Sequence, residues 1–165
     1  MATTSAHQLC IEGVQTDIQA LITAGTITGL GIATGAVYKR KLPTDRNLTL
    51  AAATPWCIVV SYPADASEQW GEPGTNQSED LVLPVQVSTF WMSQNNLEID
   101  ASSEVLALAR EKILLRYHNK MPFTATGVYS CKVQPGVIVS SDHFLNNNTV
   151  AGALVLNFYA RKSRT

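Results

Sequence analysis

The sequence predicts an α+β domain in which a mostly antiparallel sheet of about four to five strands carries two helices on one face. Two stretches have apolar residues at helical spacing, and β-branched runs of strand length lie between and after them. Runs of consecutive strands favour antiparallel pairing. At 165 residues the chain can bury one ordinary core, so we predict a single domain over residues 1–165.

The first helix is predicted over about residues 5–23. Ser5 and Gln8 have the spacing of a capping box, and the apolar residues that follow recur at helical spacing. Gly25 stands where a helix is expected to end. A short strand is then predicted over residues 36–42, with charged side chains on one face.

The middle of the chain predicts a hairpin with a long connection. Residues 56–62 form a β-branched run bounded by prolines, which is typical of a buried strand. Residues 81–92 alternate apolar and polar side chains, as a half-buried strand does. Between them, residues 63–80 hold acids, amides, glycine and proline, and we predict a projecting acidic loop at about 63–80.

The last third of the chain predicts a second helix and two closing strands. Capping residues at 100–103 precede a helix that ends in cations, and its core face carries Leu106, Ala109, Ile113 and Tyr117. The closing strands are predicted over residues 128–135 and 150–160. In the first of them, alternation places Tyr129, Cys131 and Val133 on one face.

Charge is segregated along a chain whose net charge is only -1. Residues 63–104 contain eight acids and no Lys or Arg, whereas from residue 110 onward eight basic residues accompany two acids. This balance excludes the bulk basicity of sequence-independent nucleic-acid binding. The segments are either solvated faces or surfaces of opposite sign that meet when copies associate.

No motif predicts a catalytic, cofactor or metal site. The glycines at 29–35 follow a helix instead of opening one, which is the wrong context for phosphate binding. Residues 140–143 contain triad residue types, but neighbours in sequence cannot adopt triad geometry. Residues 19–38 are uncharged, but glycine and threonine dilute them, so we expect no membrane span. A small hydrolase using Cys57 or His143 remains an alternative.

The order and spacing of several segments together suggest a family. They are the amphipathic first helix and residues 39–43 (KRKLP), 55–61 (PWCIVVS), 83–87 (LPVQV), 109–113 (AREKI), 133–135 (VQP) and 154–158 (LVLNF). This pattern resembles the tail terminator and neck-ring proteins of tailed bacteriophages and prophages, the lambda U-like minor tail proteins. The chain departs from that pattern in its glycine-rich segment at 25–35 and its acidic loop.

The resemblance implies a structural virion protein without catalytic residues or cofactors. It implies a homo-oligomeric ring, usually hexameric, at the head-proximal end of the tail tube, present in the host cytoplasm during assembly and then in the virion. The ring would stop tube polymerisation and contact the tail tube protein and the head connector, while DNA passes through its lumen without sequence-specific binding. The same resemblance covers head-completion and adaptor rings, and a monomeric decoration or binding module is a further alternative.

We predict that the interface uses two charged segments of opposite sign. Rings need contacts between unlike patches, and Trp70 lies in an acidic stretch that has no other apolar anchor. The predicted interface residues are Lys39, Arg40, Lys41, Asp65, Glu68, Trp70 and Glu72.

Overall fold

Two helices and six strands make up the regular structure of the residues that the structure describes. The computed structural model describes residues 5–28, 37–39, 56–63, 69–73, 78–92, 99–125, 127–136 and 149–163. The helices are α1 (Ala6–Thr23) and α2 (Ile99–Tyr117). The strands are β1 (Val37–Lys39), β2 (Trp56–Ser61), β3 (Gln69–Pro73), β4 (Ser78–Met92), β5 (Val128–Pro135) and β6 (Thr149–Ser163).

The strands form one mixed sheet in the order β1-β2-β4-β6-β5, with β3 paired to β4 off this path. Only the β1–β2 pair is parallel among the described strands. β4 and β6 pair along their whole length, from Ser78 opposite Ser163 to Met92 opposite Thr149. Because β6 occupies one edge of β4, β2 and β3 share the other edge.

Both helices pack on one face of this sheet, and the core lies between the two layers. Along β4 the buried apolar residues alternate with residues of the other face, as the sequence predicts. Each large aliphatic side chain buried here contributes about 1.5–3 kcal/mol relative to its exposed state. The core includes Cys10, Ile11, Val14, Ile18, Leu83, Val85, Val87, Leu106, Ala109, Ile113, Tyr117, Cys131, Leu154, Leu156 and Phe158. The predicted α+β class, with two helices on one face of a mostly antiparallel sheet, is confirmed.

The opposite face of the sheet is buried at one end and open at the other. A second cluster of Cys57, Val59, Phe90 and Ala151, with Tyr38 against it, is buried near β2 and β4. Towards β5 the same face is partly or fully exposed.

The ends of α1 follow from its sequence. The Ser5 hydroxyl oxygen accepts a hydrogen bond from the Gln8 backbone N–H at 3.2 Å, which caps the first turn. Gly25 has φ +69°, a conformation that glycine adopts without strain just after a helix. The predicted first helix and its Ser5 cap are confirmed. The Gln8 side chain donates to Glu12 Oε1 at 3.1 Å and does not complete the capping box.

Three details differ from the sequence prediction. The predicted loop at 63–80 contains β3 and the first residues of β4, while residues 64–68 and 74–77 lie outside the described residues. α2 begins at Ile99, before the predicted capping residues. Tyr129 is 51% exposed, unlike Cys131 and Val133, because the β5–β6 register shifts between Val128 and Ser130.

Candidate interaction surfaces

The three cysteines of the sequence lie inside the fold. Cys10, Cys57 and Cys131 are all buried, and burial raises the pKa of Cys10 and of Cys131 to about 12. A thiol in such surroundings is a poor nucleophile. His143 lies outside the described residues, and within the described ranges no cluster of three His, Cys, Asp or Glu side chains is placed to hold a metal ion.

The predicted interface residues are only partly described. Lys39 ends β1, and its ammonium lies 2.7 Å from Glu12 Oε1. Trp70 and Glu72 fall in β3, where Trp70 is opposite Leu81 in the strand register. The other predicted interface residues lie outside the described residues; they are Arg40, Lys41, Asp65 and Glu68.

A polar cluster joins the two helices. Asp17 on α1 is 9% exposed, and its carboxylate accepts hydrogen bonds from Arg116 Nη2 at 2.7 Å and Arg116 Nε at 3.2 Å. The Tyr117 hydroxyl donates to the same carboxylate at 2.9 Å. Burial and, after it, the Asp17 charge raise the pKa of Tyr117. The helices are therefore held together by a nearly buried charge with three donors.

A shallow apolar groove, which we call the α1 groove, runs beside this cluster. It has a volume of about 410 Å³. The Phe123 ring packs directly against Gly13, where a side chain would meet it, and forms one wall of the groove. The α1 groove is lined by Leu9, Glu12, Gly13, Thr16, Asp17, Ala20, Phe123 and Thr124.

The outward side of α2 carries two exposed leucines. Leu108 is 48% exposed and Leu115 is 55% exposed, whereas Ile113 on the core side is fully buried. The two leucines are seven residues apart, so they lie on one line along the helix. Exposed Glu111 and Lys112 flank that line. We call these four residues the α2 ridge.

Charge differs between the two helices. α1 contains Glu12 and Asp17 and no Lys or Arg. Residues 110–120 contain four Lys or Arg and one acid, Glu111. Both acids that line the α1 groove are paired with cations, Glu12 with Lys39 and Asp17 with Arg116, whereas the second half of α2 is basic.

Three backbone carbonyl groups of the sheet accept hydrogen bonds from α1 or from the turn after α2. Gln15 Nε2 donates to the Val37 carbonyl of β1 at 3.0 Å, and the Asn119 N–H donates to the Cys131 carbonyl of β5 at 2.8 Å. His7 Nε2 donates at 2.6 Å to the carbonyl of Pro84, between the parts of β4 that pair with β3 and β2. Carbonyl groups engaged in this way are poor sites for adding a strand from another molecule.

Side chains on the open end of the sheet face pair with one another. Arg161 Nε lies 3.0 Å from Asp80 Oδ1, and this contact lowers the pKa of Asp80. The Arg161 guanidinium lies 5.4 Å from the Tyr129 ring centre, and Lys132 Nζ lies 5.6 Å from that of Tyr159. These groups therefore have partners within one subunit.

Sequence reasoning missed both the α2 ridge and the α1 groove. The signal for the ridge was present, because Leu108 and Leu115 lie at helical spacing off the predicted core face. No local pattern indicated the groove, since its Phe123 wall is 110 residues from Gly13.

Within the described ranges, neither helix has the length and apolar character needed to cross a membrane. A comparison with models of known protein families finds no match for this chain, and a comparison with curated proteins finds none either.

Proposed function

We propose that this chain is a structural subunit that forms a ring at the head-proximal end of a phage tail tube. The ring ends tube polymerisation and joins the tail to the head connector, and DNA passes through its lumen. The virion location comes from the family resemblance of the sequence.

The observation that supports an assembling subunit is the exposure of Leu108 and Leu115 on one line of α2. Two half-exposed leucines on a helix whose opposite face is already buried favour a second protein surface. The chain is also only 15% charged, which is low for a molecule that must stay fully solvated.

Tube capping tests this function directly. The full chain is added to polymerising tube protein from the same phage, and tube lengths and ends are measured by electron microscopy. We expect shorter tubes with a ring at one end. Tubes of unchanged length without end rings would contradict the proposal.

The predicted acidic contacts have a separate test. Reversing the charge of Glu68 and Glu72 together is expected to change tail length, ring formation or DNA retention, because both lie in the acidic segment. Wild-type behaviour in all three assays would remove this segment from the interface.

Native thiol alkylation tests the hydrolase alternative. Because the three cysteines are buried, we expect modification only after unfolding. Rapid modification of Cys57 in the folded chain would favour an enzyme instead.

A further inference from the structure

We propose that two copies of this chain pair through their α2 ridges, with the two α2 helices antiparallel and related by a two-fold axis. A two-fold contact uses the same patch on both copies and closes with two of them. The dimer is therefore a state of the free chain and goes beyond the proposed function, since the ring needs separate contacts.

The α2 ridge matches an antiparallel copy of itself in spacing. Leu108 and Leu115 lie at equal distances on either side of the midpoint between Glu111 and Lys112. When a second α2 lies antiparallel about this midpoint, Leu108 of each copy is opposite Leu115 of the other. The two leucines are 48% and 55% exposed, so each pair removes exposed apolar surface from water.

The charges at the centre of the ridge select the antiparallel orientation. In this pair Glu111 of each copy lies beside Lys112 of the other, which gives two attractive contacts. A parallel pair would instead bring Glu111 to Glu111 and Lys112 to Lys112. Both side chains are exposed, and within the described ranges neither takes part in an ion pair of its own subunit.

The two ends of the ridge also carry opposite charges. Exposed Glu104 lies about one turn before Leu108. Lys120 Nζ donates to the Leu115 carbonyl at 3.2 Å, which holds a cation at the other end. The antiparallel pair brings the Leu108 end of each copy to the Leu115 end of the other, so these charges attract as well.

The remaining basic residues of α2 are engaged within their own subunit. Arg116 is paired with Asp17 at 2.7 Å, and Arg110 Nη2 donates to the Gly136 carbonyl at 3.3 Å. The exposed charges left along the ridge are balanced, so two ridges meet without net repulsion. They are Glu104, Glu111, Lys112 and Lys120.

Cysteine cross-linking tests the antiparallel register. Leu108→Cys and Leu115→Cys each place a thiol at an exposed position of the ridge, and the native cysteines are buried. In a mixture of the two variants the new thiols face each other, whereas in either variant alone they lie about 10.5 Å apart along the helix axis. After mild oxidation we expect about tenfold more disulfide dimer from the mixture than from either variant alone, because pairing raises the local thiol concentration.

The double variant L108C/L115C is expected to give dimers and no ladder of higher oligomers, because a two-fold contact closes with two copies. Leu108→Cys mixed with Lys132→Cys is the matched control, since Lys132 is exposed on the other side of the sheet. We expect no dimer above background from that mixture.

Exchanging the two central charges is a second test. Glu111→Lys and Lys112→Glu each bring like charges together across the contact, so each should weaken dimerisation about two- to tenfold. The double variant E111K/K112E restores opposite charges and should dimerise like the wild type, as sedimentation velocity would measure. A double variant weaker than both single variants would contradict the register.

The outcomes separate the dimer from the proposed function. Self-linking of Leu108→Cys or Leu115→Cys as efficient as linking in the mixture, or a ladder from L108C/L115C, would overturn the antiparallel dimer. No cross-link in the mixture, with wild-type chain that caps tubes, would overturn the dimer and leave the proposed function standing. The expected cross-link in a chain that never caps tubes would support the dimer and refute the function.

Discussion

Asp17 joins the two helices through a nearly buried carboxylate. A carboxylate that is 9% exposed has lost most of its hydration, and it needs compensating donors. Arg116 and Tyr117 supply them from the end of α2. The same residue lines the α1 groove, so a structural ion pair and the candidate interface share one side chain.

Replacing Asp17 with Asn tests this dependence. We expect the free energy of unfolding to fall by about 1–2 kcal/mol, because Tyr117 loses a charged acceptor, whereas Arg116, whose side chain is 42% exposed, stays partly hydrated without its anionic partner. Tyr117→Phe should lower it by about 1 kcal/mol, since it removes one hydrogen bond. Urea denaturation followed by circular dichroism measures both changes.

Glu12→Gln is the matched control for Asp17→Asn. Glu12 also pairs with a cation, Lys39, but the two side chains are 39% and 42% exposed. Water screens such a pair, so a much smaller loss of stability is expected. Equal losses for the two variants would show that burial of Asp17 has no special role.

The buried thiols predict a loss of stability at alkaline pH. Burial raises the pKa of Cys10 and of Cys131 to about 12 in the folded chain, against an ordinary value of 9.0. Between these values the unfolded chain releases thiol protons that the folded chain retains, so stability falls as pH rises. Each thiol can lower the unfolding free energy by up to about 1.4 kcal/mol per pH unit in this window.

Unfolding titrations between pH 8 and pH 11 measure this effect. The double variant C10A/C131A should be less stable at pH 8 because it loses buried volume. Its stability should nevertheless fall less steeply with pH than that of the wild type, because it has no such thiols to ionise. Parallel pH dependences for the two proteins would contradict the prediction.

At the scale of the elements, periodicity predicted which residues of a helix or strand lie on its buried face. The core faces of α1 and β4 and the buried set from Leu106 to Tyr117 follow from spacing alone. Spacing carries no information on pairing direction, so the parallel β1–β2 pair was not predictable. β3 was missed because its five residues, QWGEP, lack β-branched side chains.

Irregularities and distant partners account for the remaining differences. The register shift after Val128 breaks the alternation, which is why the prediction that Tyr129 shares a face with Cys131 and Val133 was wrong. Arg116 is 99 residues from Asp17, so their pairing depends on the complete fold. The α1 groove depends on it for the same reason, because Phe123 approaches Gly13 only when both helices are packed.

The turn after α2 offers a test at this scale. Asn119 has φ 55°, a left-handed conformation, and its N–H closes the edge of β5 at Cys131. Asn119→Val should lower the unfolding free energy by about 1–2 kcal/mol, because a β-branched residue is strained there. Asn119→Gly keeps the N–H and the conformation, so its stability should stay near that of the wild type. Thermal unfolding of both variants would detect the difference, and equal losses would contradict the strain argument.

At the scale of the whole molecule, the helical layer bears both candidate surfaces. The α1 groove and the α2 ridge lie on the side away from the sheet, and the described outer strands have engaged carbonyl groups at Val37 and Cys131. Association through the exposed leucines of the α2 ridge leaves the open sheet face towards β5 uncovered by the neighbouring copy.

Charge reversal on the ridge tests this arrangement. Lys112→Glu changes the net charge by two on the α2 ridge itself, so we expect association between copies through the ridge to weaken about two- to tenfold. Lys132→Glu makes the same change of net charge on the open sheet face and should leave association unaltered. Sedimentation velocity over a concentration series measures the association of both variants.

A salt series gives a second test of the same contact. Raising the salt concentration from about 0.05 M to 0.5 M should weaken association of the wild type and reduce the difference in affinity between the wild type and Lys112→Glu, because screening shortens the reach of surface charges to a few ångströms. Equal weakening by the two substitutions would mean that net charge governs association, and would exclude a specific contact at the ridge.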